Sequence, residues 1–222
     1  MIPVPLLFQN KDILAVNKPE GISVHNNEDN QNLLILLGKD FPNSKFYPIH
    51  RLDKETSGIQ LLAFSSDSAQ KYSSEFQNRS VKKIYQGVLR GQLKESSGSW
   101  IRPLTDKAEG RKNPQGQSKD RVPCETKFSV IKQNQYFALC EFDLLTGRQH
   151  QIRKHTALIN HPLVGDQRYG EIKYNEKIGR FYQTHRMFLH CNRVEILDLT
   201  IDCPTPDIFH NLLNNESGQD RR

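Results

Sequence analysis

The sequence predicts an α+β fold with a central mixed, mainly antiparallel sheet flanked by helices. Strand-like segments outnumber helix-like ones and alternate with them irregularly, unlike the regular alternation that builds a parallel sheet. The chain has 222 residues, of which 36% are hydrophobic and 25% charged, so it can bury a core as one compact domain. Its 13 glycines and 11 prolines are an ordinary share, which excludes collagen-like and low-complexity proteins.

Hydrophobic spacing and turn residues define the elements of the first half of the chain. Apolar runs on both sides of a polar cluster predict two short strands within residues 6–16. Spaced apolar residues after Ser65 or Ser66, either of which can cap a helix, predict a surface helix over residues 65–77. The other elements predicted here are a helix at 32–37 and strands at 59–64 and 81–89.

The second half contains a long polar segment, residues 102–121, which is predicted as a loop or a long hairpin. It carries more basic than acidic residues, and loops longer than about 15 residues in a compact domain are usually functional or mobile. The elements predicted after it are strands at 126–131 and 136–145, a helix at 146–160, a strand at 193–201 and a short helix at 206–213. We expect one domain over residues 1–213 and a disordered tail over 214–222.

The location of the protein is predicted from what the sequence lacks. No segment approaches the roughly 18 apolar residues of a membrane span, and the apolar N-terminal run has no basic flank typical of a signal peptide. We therefore expect a cytoplasmic protein that does not bind membranes. The cysteines form no Cys-x-x-Cys pair and are expected to be buried, reduced thiols: Cys124, Cys140, Cys191 and Cys203.

The first candidate site is the polar motif of residues 50–58, which leads into an apolar strand. Asp53 lies between Arg51 and Lys54 in the sequence, and neighbouring cations favour the ionised carboxylate. An ionised carboxylate can act as a nucleophile or stabilise positive charge, and a strand start holds a side chain rigidly. The alternative is a solvated turn with a local ion pair.

The second candidate site is residues 146–155, predicted as a helix start because Thr146 and Gln149 match a capping box. The segment concentrates positive charge, and no acidic residue occurs between Leu144 and Gly165. Cations at a helix N terminus oppose the helix dipole, so the pattern favours a site for an anion. The alternative is that acidic residues elsewhere pair with these cations. The candidates are Arg148, His150, Arg153, Lys154 and His155.

Other kinds of site are not expected. His150, His155 and His161 are five and six residues apart, so the spacing does not place two imidazoles one turn apart, and no metal site is predicted. The sequence also lacks a Gly-x-Ser-x-Gly elbow and the glycine patterns of phosphate or dinucleotide loops.

Positive charge also recurs elsewhere, and the net charge is +6. Basic residues flank the predicted strand that holds Tyr85, including Lys82 and Lys83, and they recur in residues 178–194 without an acid. Several basic segments together with an ionised carboxylate favour a groove for a polyanion such as RNA. Tyr85 is placed where a base could stack on it, or else it packs in the core.

Three ordered blocks of this sequence resemble the RluA family of RNA pseudouridine synthases. They are His50-Arg51-Leu52-Asp53-x-x-Thr56-Ser57-Gly58, Lys83-x-Tyr85, and Gly147-Arg148-x-His150-Gln151-Ile152-Arg153-x-His155. Asn17-Lys18-Pro19-x-Gly21 and His161-Pro162-x-x-Gly165-Asp166 resemble the family as well. The resemblance extends from about residue 6 to residue 204. It implies a single pseudouridine-synthase-like domain with a basic active-site cleft.

The resemblance also implies roles for individual residues. Asp53 is similar to the aspartate that attacks the target uridine, Arg153 to the arginine that pairs with it, and Tyr85 to the tyrosine that stacks on the uracil. Arg51 is similar to a residue that holds the RNA distorted, and Leu189 to one that lines the uracil pocket. Asp53, Tyr85 and Arg153 are thus the expected catalytic residues. The expected substrate contacts are Arg51, Lys83, Arg148, His150 and Leu189. No metal and no cofactor are expected, since the reaction only isomerises the nucleoside.

The expected partner is a structured RNA, ribosomal or transfer RNA, bound by a monomer. Many members of the family carry an N-terminal S4-type RNA-binding domain, and we expect none here because the core begins within ten residues. Two alternatives stay open at this point. One is a catalytically silent RNA-binding or ribosome-assembly protein of the same fold. The other is an N-glycoside hydrolase that uses Asp53 with Glu55 as a second carboxylate and releases free uracil.

Overall fold

The computed structural model describes residues 3–25 and 31–214 of the chain. Contacts between residues divide it into two compact units, residues 1–83 with 190–204 and residues 84–189 with 205–222. The strands are β1 (Leu6–Gln9), β2 (Ile13–Lys18), β3 (Tyr47–Pro48), β4 (Ser57–Ala63), β5 (Lys82–Arg90), β6 (Ser97–Trp100), β7 (Leu104–Thr105), β8 (Arg121–Val122), β9 (Thr126–Gln133), β10 (Phe137–Leu144), β11 (Leu189–Ile196) and β12 (Leu199–Asp202). The helices are α1 (Leu33–Asp40), α2 (Ser66–Gln77), α3 (Gln151–Leu158), α4 (Ile172–Tyr182) and α5 (Asp207–Asn214).

The first unit contains a mixed sheet in the order β1-β2-β4-β11, with β3 on β4 and β12 on β11. β2 and β4 are antiparallel, whereas β4 and β11 are parallel. All seven residues of β4 are buried, as expected for a central strand with both faces covered. Apolar residues of β2 pack with Leu33, Leu36 and Leu37 of α1 in one core cluster. This core supports the chain that enters β4, which is where the first candidate motif ends.

The second unit contains four antiparallel strands in the order β5-β10-β9-β6. Its core cluster joins Val88 of β5 and Leu139 of β10 to Phe209 of α5. Tyr174, Ile178 and Tyr182 of α4 pack against the same cluster from one helix face, at the four-residue spacing that helical geometry requires. A separate two-stranded ladder, β7 with β8, closes the base of the segment 102–121.

The predicted α+β class, with a mixed and mainly antiparallel arrangement of strands, is confirmed. The predicted strand pair in residues 6–16, the helices near 32–37, 65–77 and 206–213, and the strands near 59–64, 81–89, 126–131 and 136–145 are all present. Ser65 caps α2, because its side chain accepts from the Ser68 amide. The segment 102–121 forms a long hairpin, which is one of the two forms predicted for it. Within the described residues, no helix is long and apolar enough to cross a membrane.

Several details of the prediction were wrong. The helix expected over 146–160 begins only at Gln151. The strand expected over 193–201 is a hairpin, because Leu197 has a φ of 52° and turns the chain between β11 and β12. Helix α4 and strand β6 were not predicted at all. The predicted tail lies outside the described residues, apart from Asn214, which ends α5.

The parallel contact of β4 with β11 depends on the absence of a side chain at Gly58. Gly58 pairs with Cys191, has a φ of 109°, and a Cβ there would overlap the carbonyl oxygen of Cys191. The backbone can approach this closely only at glycine. The strand that follows Asp53 is therefore fixed against β11 at this position.

We predict that Gly58→Ala lowers the free energy of unfolding by about 3 kcal/mol or more, because it adds both a backbone overlap and a positive φ. Gly38→Ala is the matched control, since nothing lies within 4 Å of a Cβ in that helix position. It should stabilise the chain by about 0.5–1 kcal/mol. Chemical denaturation measures both, and equal stability of the two variants would contradict the assignment.

Candidate active site

The loop that carries Asp53 is held from within by a buried glutamine. The side chain of Gln60 in β4 donates to the His50 carbonyl oxygen at 2.6 Å, and its Oε1 accepts from the Leu52 amide at 3.0 Å. Asp53 itself is partly buried, and its carbonyl oxygen accepts from the Thr56 amide at 3.1 Å. Gln60 is fully buried, so these bonds are shielded from competing water. The carboxylate therefore lies on a loop with a defined backbone.

His50 is a neutral structural side chain of the same loop. Its Nε2 accepts from the Leu61 amide at 3.1 Å, and its ring stacks on Phe76 with centroids 4.8 Å apart. Burial lowers the pKa of His50 to about 3, with a further contribution from the nearby Lys83 charge. A neutral imidazole carries one proton, and the bond from the Leu61 amide to Nε2 places that proton on Nδ1.

Lys18 connects a second segment of the first unit to the Asp53 loop. Its ammonium is fully buried and donates to the carbonyl oxygens of Pro19 and Ile22 at 2.8 Å each and of Lys54 at 3.3 Å. The Gly21 amide also donates to the Lys54 carbonyl oxygen at 2.8 Å. From the sequence, Lys18 was known only as part of the motif Asn17-Lys18-Pro19-x-Gly21, which resembles the family. The structure shows the physical reason: Lys18 braces the residue after Asp53.

Arg153 forms the central interaction of the second candidate segment. Its side chain is 2% exposed and makes a bidentate ion pair with Asp166, with Nε to Oδ2 at 2.8 Å and Nη2 to Oδ1 at 2.9 Å. The aromatic ring of Tyr169 lies 5.4 Å from the guanidinium carbon. Two planar groups in this geometry hold each other in one orientation. The guanidinium is thus fixed by Asp166.

Asp166 is itself held by the loop in which it lies. Its Oδ1 accepts from the amides of Arg168 and Tyr169, and its backbone carbonyl oxygen accepts from Asn175 of α4. Asp166 lies in one of the sequence blocks that resemble the family, but the sequence predicted no role for it. The signal available was that Asp166 is the first acidic residue after the acid-free stretch 144–165. An arginine buried in that stretch needs such a partner.

Tyr169 joins His150 to this ion pair. The tyrosine hydroxyl and His150 Nδ1 are 2.9 Å apart, and burial raises the pKa of Tyr169 well above its usual range. His150 has a φ of 56° and immediately precedes α3. The tyrosine stays protonated and can donate to the imidazole. His150 is therefore oriented by the same cluster that holds Arg153.

The capping-box prediction at Thr146 and Gln149 was wrong. The Thr146 hydroxyl donates to Oε1 of Gln151 at 2.7 Å, and that oxygen also accepts from the Arg148 amide at 3.1 Å. The Gln149 amide instead donates to Oδ1 of Asp106 at 2.8 Å. Because Gln151 and not Gln149 closes the turn, the helix starts at Gln151, five residues after the expected start at Thr146.

The anion-site interpretation of this segment also needs correction, since several of its cations have protein partners. Arg148 lies 3.4 Å from Asp106, and Arg153 pairs with Asp166, as the alternative interpretation expected. Lys154 is fully buried, and its Nζ donates to the carbonyl oxygens of Thr105 and Lys107 at 2.7 Å each. These contacts attach the segment 102–121 to α3.

His155 also attaches the segment 102–121 to α3. Its Nε2 donates to the Arg102 carbonyl oxygen at 2.9 Å, and its Nδ1 lies 2.9 Å from the Thr126 hydroxyl, which also accepts from Gln151. Burial lowers the pKa of His155, which keeps the imidazole neutral. The prediction that Lys154 and His155 bind an anion was wrong, because the sequence does not show which charged side chains are buried.

Tyr85 and Leu189 are both buried, at 8% and 3% exposure. Tyr85 lies opposite the buried Phe142 of β10, which agrees with a tyrosine packed in the core. Leu189 begins β11. Their expected contacts with a uracil stay predictions. Of the expected site residues, the first unit carries Arg51, Asp53 and Lys83, and the second carries Tyr85, Arg148, His150, Arg153 and Leu189.

The cysteines fit the expected buried thiols. All four are buried and outside any disulfide, and burial raises the pKa of Cys140 to about 12 and of Cys203 to about 11. Thiols in this state are poor nucleophiles. In the part of the chain that the structure describes, no group of three or more His, Cys, Asp or Glu residues is arranged to hold a metal ion.

Comparison with known proteins identifies the family. The RNA pseudouridylate synthase family matches residues 12–158, which is most of the chain. The chain is 33% identical to the tRNA pseudouridine synthase C of Pasteurella multocida (strain Pm70), over 85% of this chain and 84% of that protein. It is 30% identical to the ribosomal large subunit pseudouridine synthase C of Vibrio parahaemolyticus serotype O3:K6, over 86% of this chain and 60% of that protein.

The fold agrees with a solved structure of the same class. Human RNA pseudouridylate synthase domain containing 4 matches with a TM-score of 0.77 and 25% identity, over 93% of this chain and 90% of that one. The chain belongs to the RNA pseudouridylate synthase family, whose members are isomerases. The resemblance inferred from the three sequence blocks is therefore confirmed.

We predict that Lys154→Met loosens the segment 102–121, because methionine fills the same space without the ammonium that binds two carbonyl oxygens. Amides near Thr105 should exchange hydrogen at least about tenfold faster, which corresponds to losing about 1–3 kcal/mol of local stability. Hydrogen exchange measured by mass spectrometry tests this. Lys94→Met, on an exposed side chain, is the control and should leave protection unchanged. Unchanged exchange in the Lys154 variant would show that the ammonium does not anchor the segment.

Proposed function

We propose that this chain converts uridine to pseudouridine in a structured RNA, transfer or ribosomal RNA, with Asp53 as the nucleophile. The class of reaction is supported by membership of the RNA pseudouridylate synthase family. The names of the two bacterial relatives refer to transfer RNA and to the large ribosomal subunit, so both RNAs are candidate substrates. What points to Asp53 is its place in the motif that ends in Gly58, on a loop whose backbone is held by Gln60 and Lys18.

The reaction is an isomerisation in which no atom is gained or lost. The N1–C1′ bond breaks, the uracil turns, and a C5–C1′ bond forms, while C5 loses a proton and N1 gains one. The Asp53 carboxylate forms a temporary ester with the nucleoside, at C1′ of the ribose or C6 of the uracil, and leaves unchanged. The proposed reaction therefore needs no cosubstrate.

The surroundings of Asp53 suit this role. A nucleophile must be held in one position, and the buried Gln60, the neutral His50 and the positive φ of Gly58 leave its loop little freedom. Arg153, held by Asp166, is proposed to pair with the carboxylate and to steer it onto the flipped nucleoside. Tyr85 is proposed to stack on the uracil. Arg51, Lys83, Arg148, His150 and Leu189 are proposed to contact the RNA or the base.

We predict that Asp53→Asn abolishes pseudouridine formation, by more than about 1,000-fold, because the amide cannot act as a nucleophile. The change is nearly isosteric, so the melting temperature and the RNA affinity should stay close to those of the unchanged chain. Turnover of an in vitro transcribed tRNA, followed by pseudouridine-specific chemistry, provides the measurement. Glu55→Gln, two residues away and exposed, is the control and should retain activity.

The outcomes of this experiment separate the alternatives. Activity that survives in the Asp53 variant would exclude Asp53 as the nucleophile. Free uracil released from the RNA by the unchanged chain would indicate N-glycoside hydrolysis. Comparison of pseudouridine maps of ribosomal and transfer RNA, from cells with and without the gene, identifies the substrate. Maps that agree at every position would favour a catalytically silent RNA-binding protein.

A further inference from the structure

The basic excursion, defined as residues 102–121, is an ordered platform. Gly116 packs on Thr105 with a φ of 76°, and the Arg121 guanidinium donates to the Gly116 carbonyl oxygen at 2.6 and 3.0 Å. The Gln115 side chain donates to the Pro103 carbonyl oxygen at 2.8 Å. With Lys154 donating to two of its carbonyl oxygens from α3, the excursion is tied to the helix that carries Arg153.

All three acidic residues of the excursion are engaged within the second unit. Asp106 accepts from the Gln149 amide and lies beside Arg148, Glu109 accepts from the Thr105 hydroxyl at 2.7 Å, and Asp120 pairs with Lys107 at 3.1 Å. These contacts use the negative charge of the excursion to position it. They therefore leave its remaining cations uncompensated by the excursion's own acids.

Four cations of the excursion point to solvent. Within residues 3–25 and 31–214, no carboxylate lies within 4 Å of their charged groups. Arg111 and Lys112 lie on a turn in which the Asn113 amide donates to the Gly110 carbonyl oxygen at 3.1 Å, and Lys119 lies in a short 3-10 helix, Ser118–Asp120. Ordered cations that face solvent and have no carboxylate partner are suited to bind a polyanion. The four residues are Arg102, Arg111, Lys112 and Lys119.

We propose that Arg111, Lys112 and Lys119 bind backbone phosphates of the RNA substrate. The proposal rests on the proposed function for the identity of the partner as RNA. Their contacts are with phosphates rather than bases, so they add affinity and fix the position of the RNA without reading its sequence. Lys154 and Asp106 set where the phosphates lie relative to α3.

The test replaces the three cations together, as Arg111→Gln, Lys112→Gln and Lys119→Gln in one chain. The matched control is Lys39→Gln, Lys71→Gln and Lys94→Gln, which removes the same charge from exposed or partly exposed lysines elsewhere. Binding of bulk tRNA and of a ribosomal RNA transcript is measured across a range of salt concentrations. A melting curve for each variant shows that the fold is retained.

The excursion variant should bind about 10- to 100-fold more weakly near physiological salt, and the slope of log affinity against log salt should fall by about 2–3. The control should change either quantity much less. Equal losses in both variants would show that only the net charge matters and would overturn the proposal, as would an unchanged slope in the excursion variant.

Turnover measured at saturating RNA distinguishes this proposal from the proposed function. The three residues do not touch reacting atoms, so maximal turnover should stay near that of the unchanged chain while the RNA concentration for half-maximal rate rises. If the unchanged chain forms no pseudouridine but its RNA binding still depends on the excursion, the catalytic proposal fails and this one stands. If pseudouridine forms but RNA binding does not depend on these three residues, this proposal fails and the catalytic proposal stands.

Discussion

The bidentate pair between Arg153 and Asp166 is the interaction on which the second unit depends. A guanidinium that is 2% exposed has lost most of its hydration, and Asp166 supplies compensating charge in the geometry that a carboxylate can offer best. Asp166 can do this because its own loop is held by amides of Arg168 and Tyr169 and by Asn175. This pair therefore links helix α3 to the loop of residues 161–170.

Helix α3 shows the same principle along its length. Gln151, Lys154 and His155 are buried polar side chains like Arg153, and each forms hydrogen bonds to residues outside the helix. Gln151 binds the start of β9, while Lys154 and His155 bind the excursion. A helix that buries so many polar groups is costly unless every one has a partner. The consequence is a rigid helix that positions both Arg153 and the excursion.

Much of the fold could be predicted because its signals are local. Ser65 before α2 and the apolar run of β4 need no knowledge of the rest of the chain. Helix α4 was missed although Tyr174, Ile178 and Tyr182 have helical spacing, because its polar and glycine residues obscured that pattern. The start of α3 was misplaced because Thr146 bonds to Gln151 through a turn that no short motif encodes.

The candidate site was predictable as chemistry but not as geometry. The three sequence blocks led to the correct family, because they combine residue types in a specific order. The partners of Arg153, Lys154 and His155 come from distant or later segments, and a linear pattern does not show which charges are buried. The pairing of Asp53 with Arg153 remains a prediction of the family resemblance.

A double-mutant cycle on Arg153 and Asp166 tests most directly whether their pair organises this unit. Arg153→Met, Asp166→Leu and the double variant are compared by chemical denaturation. Each single change should cost about 3–5 kcal/mol, because it leaves a buried charge without its partner, and the double change should cost no more than either one. Costs that simply add would show that the two side chains act independently and would contradict the account.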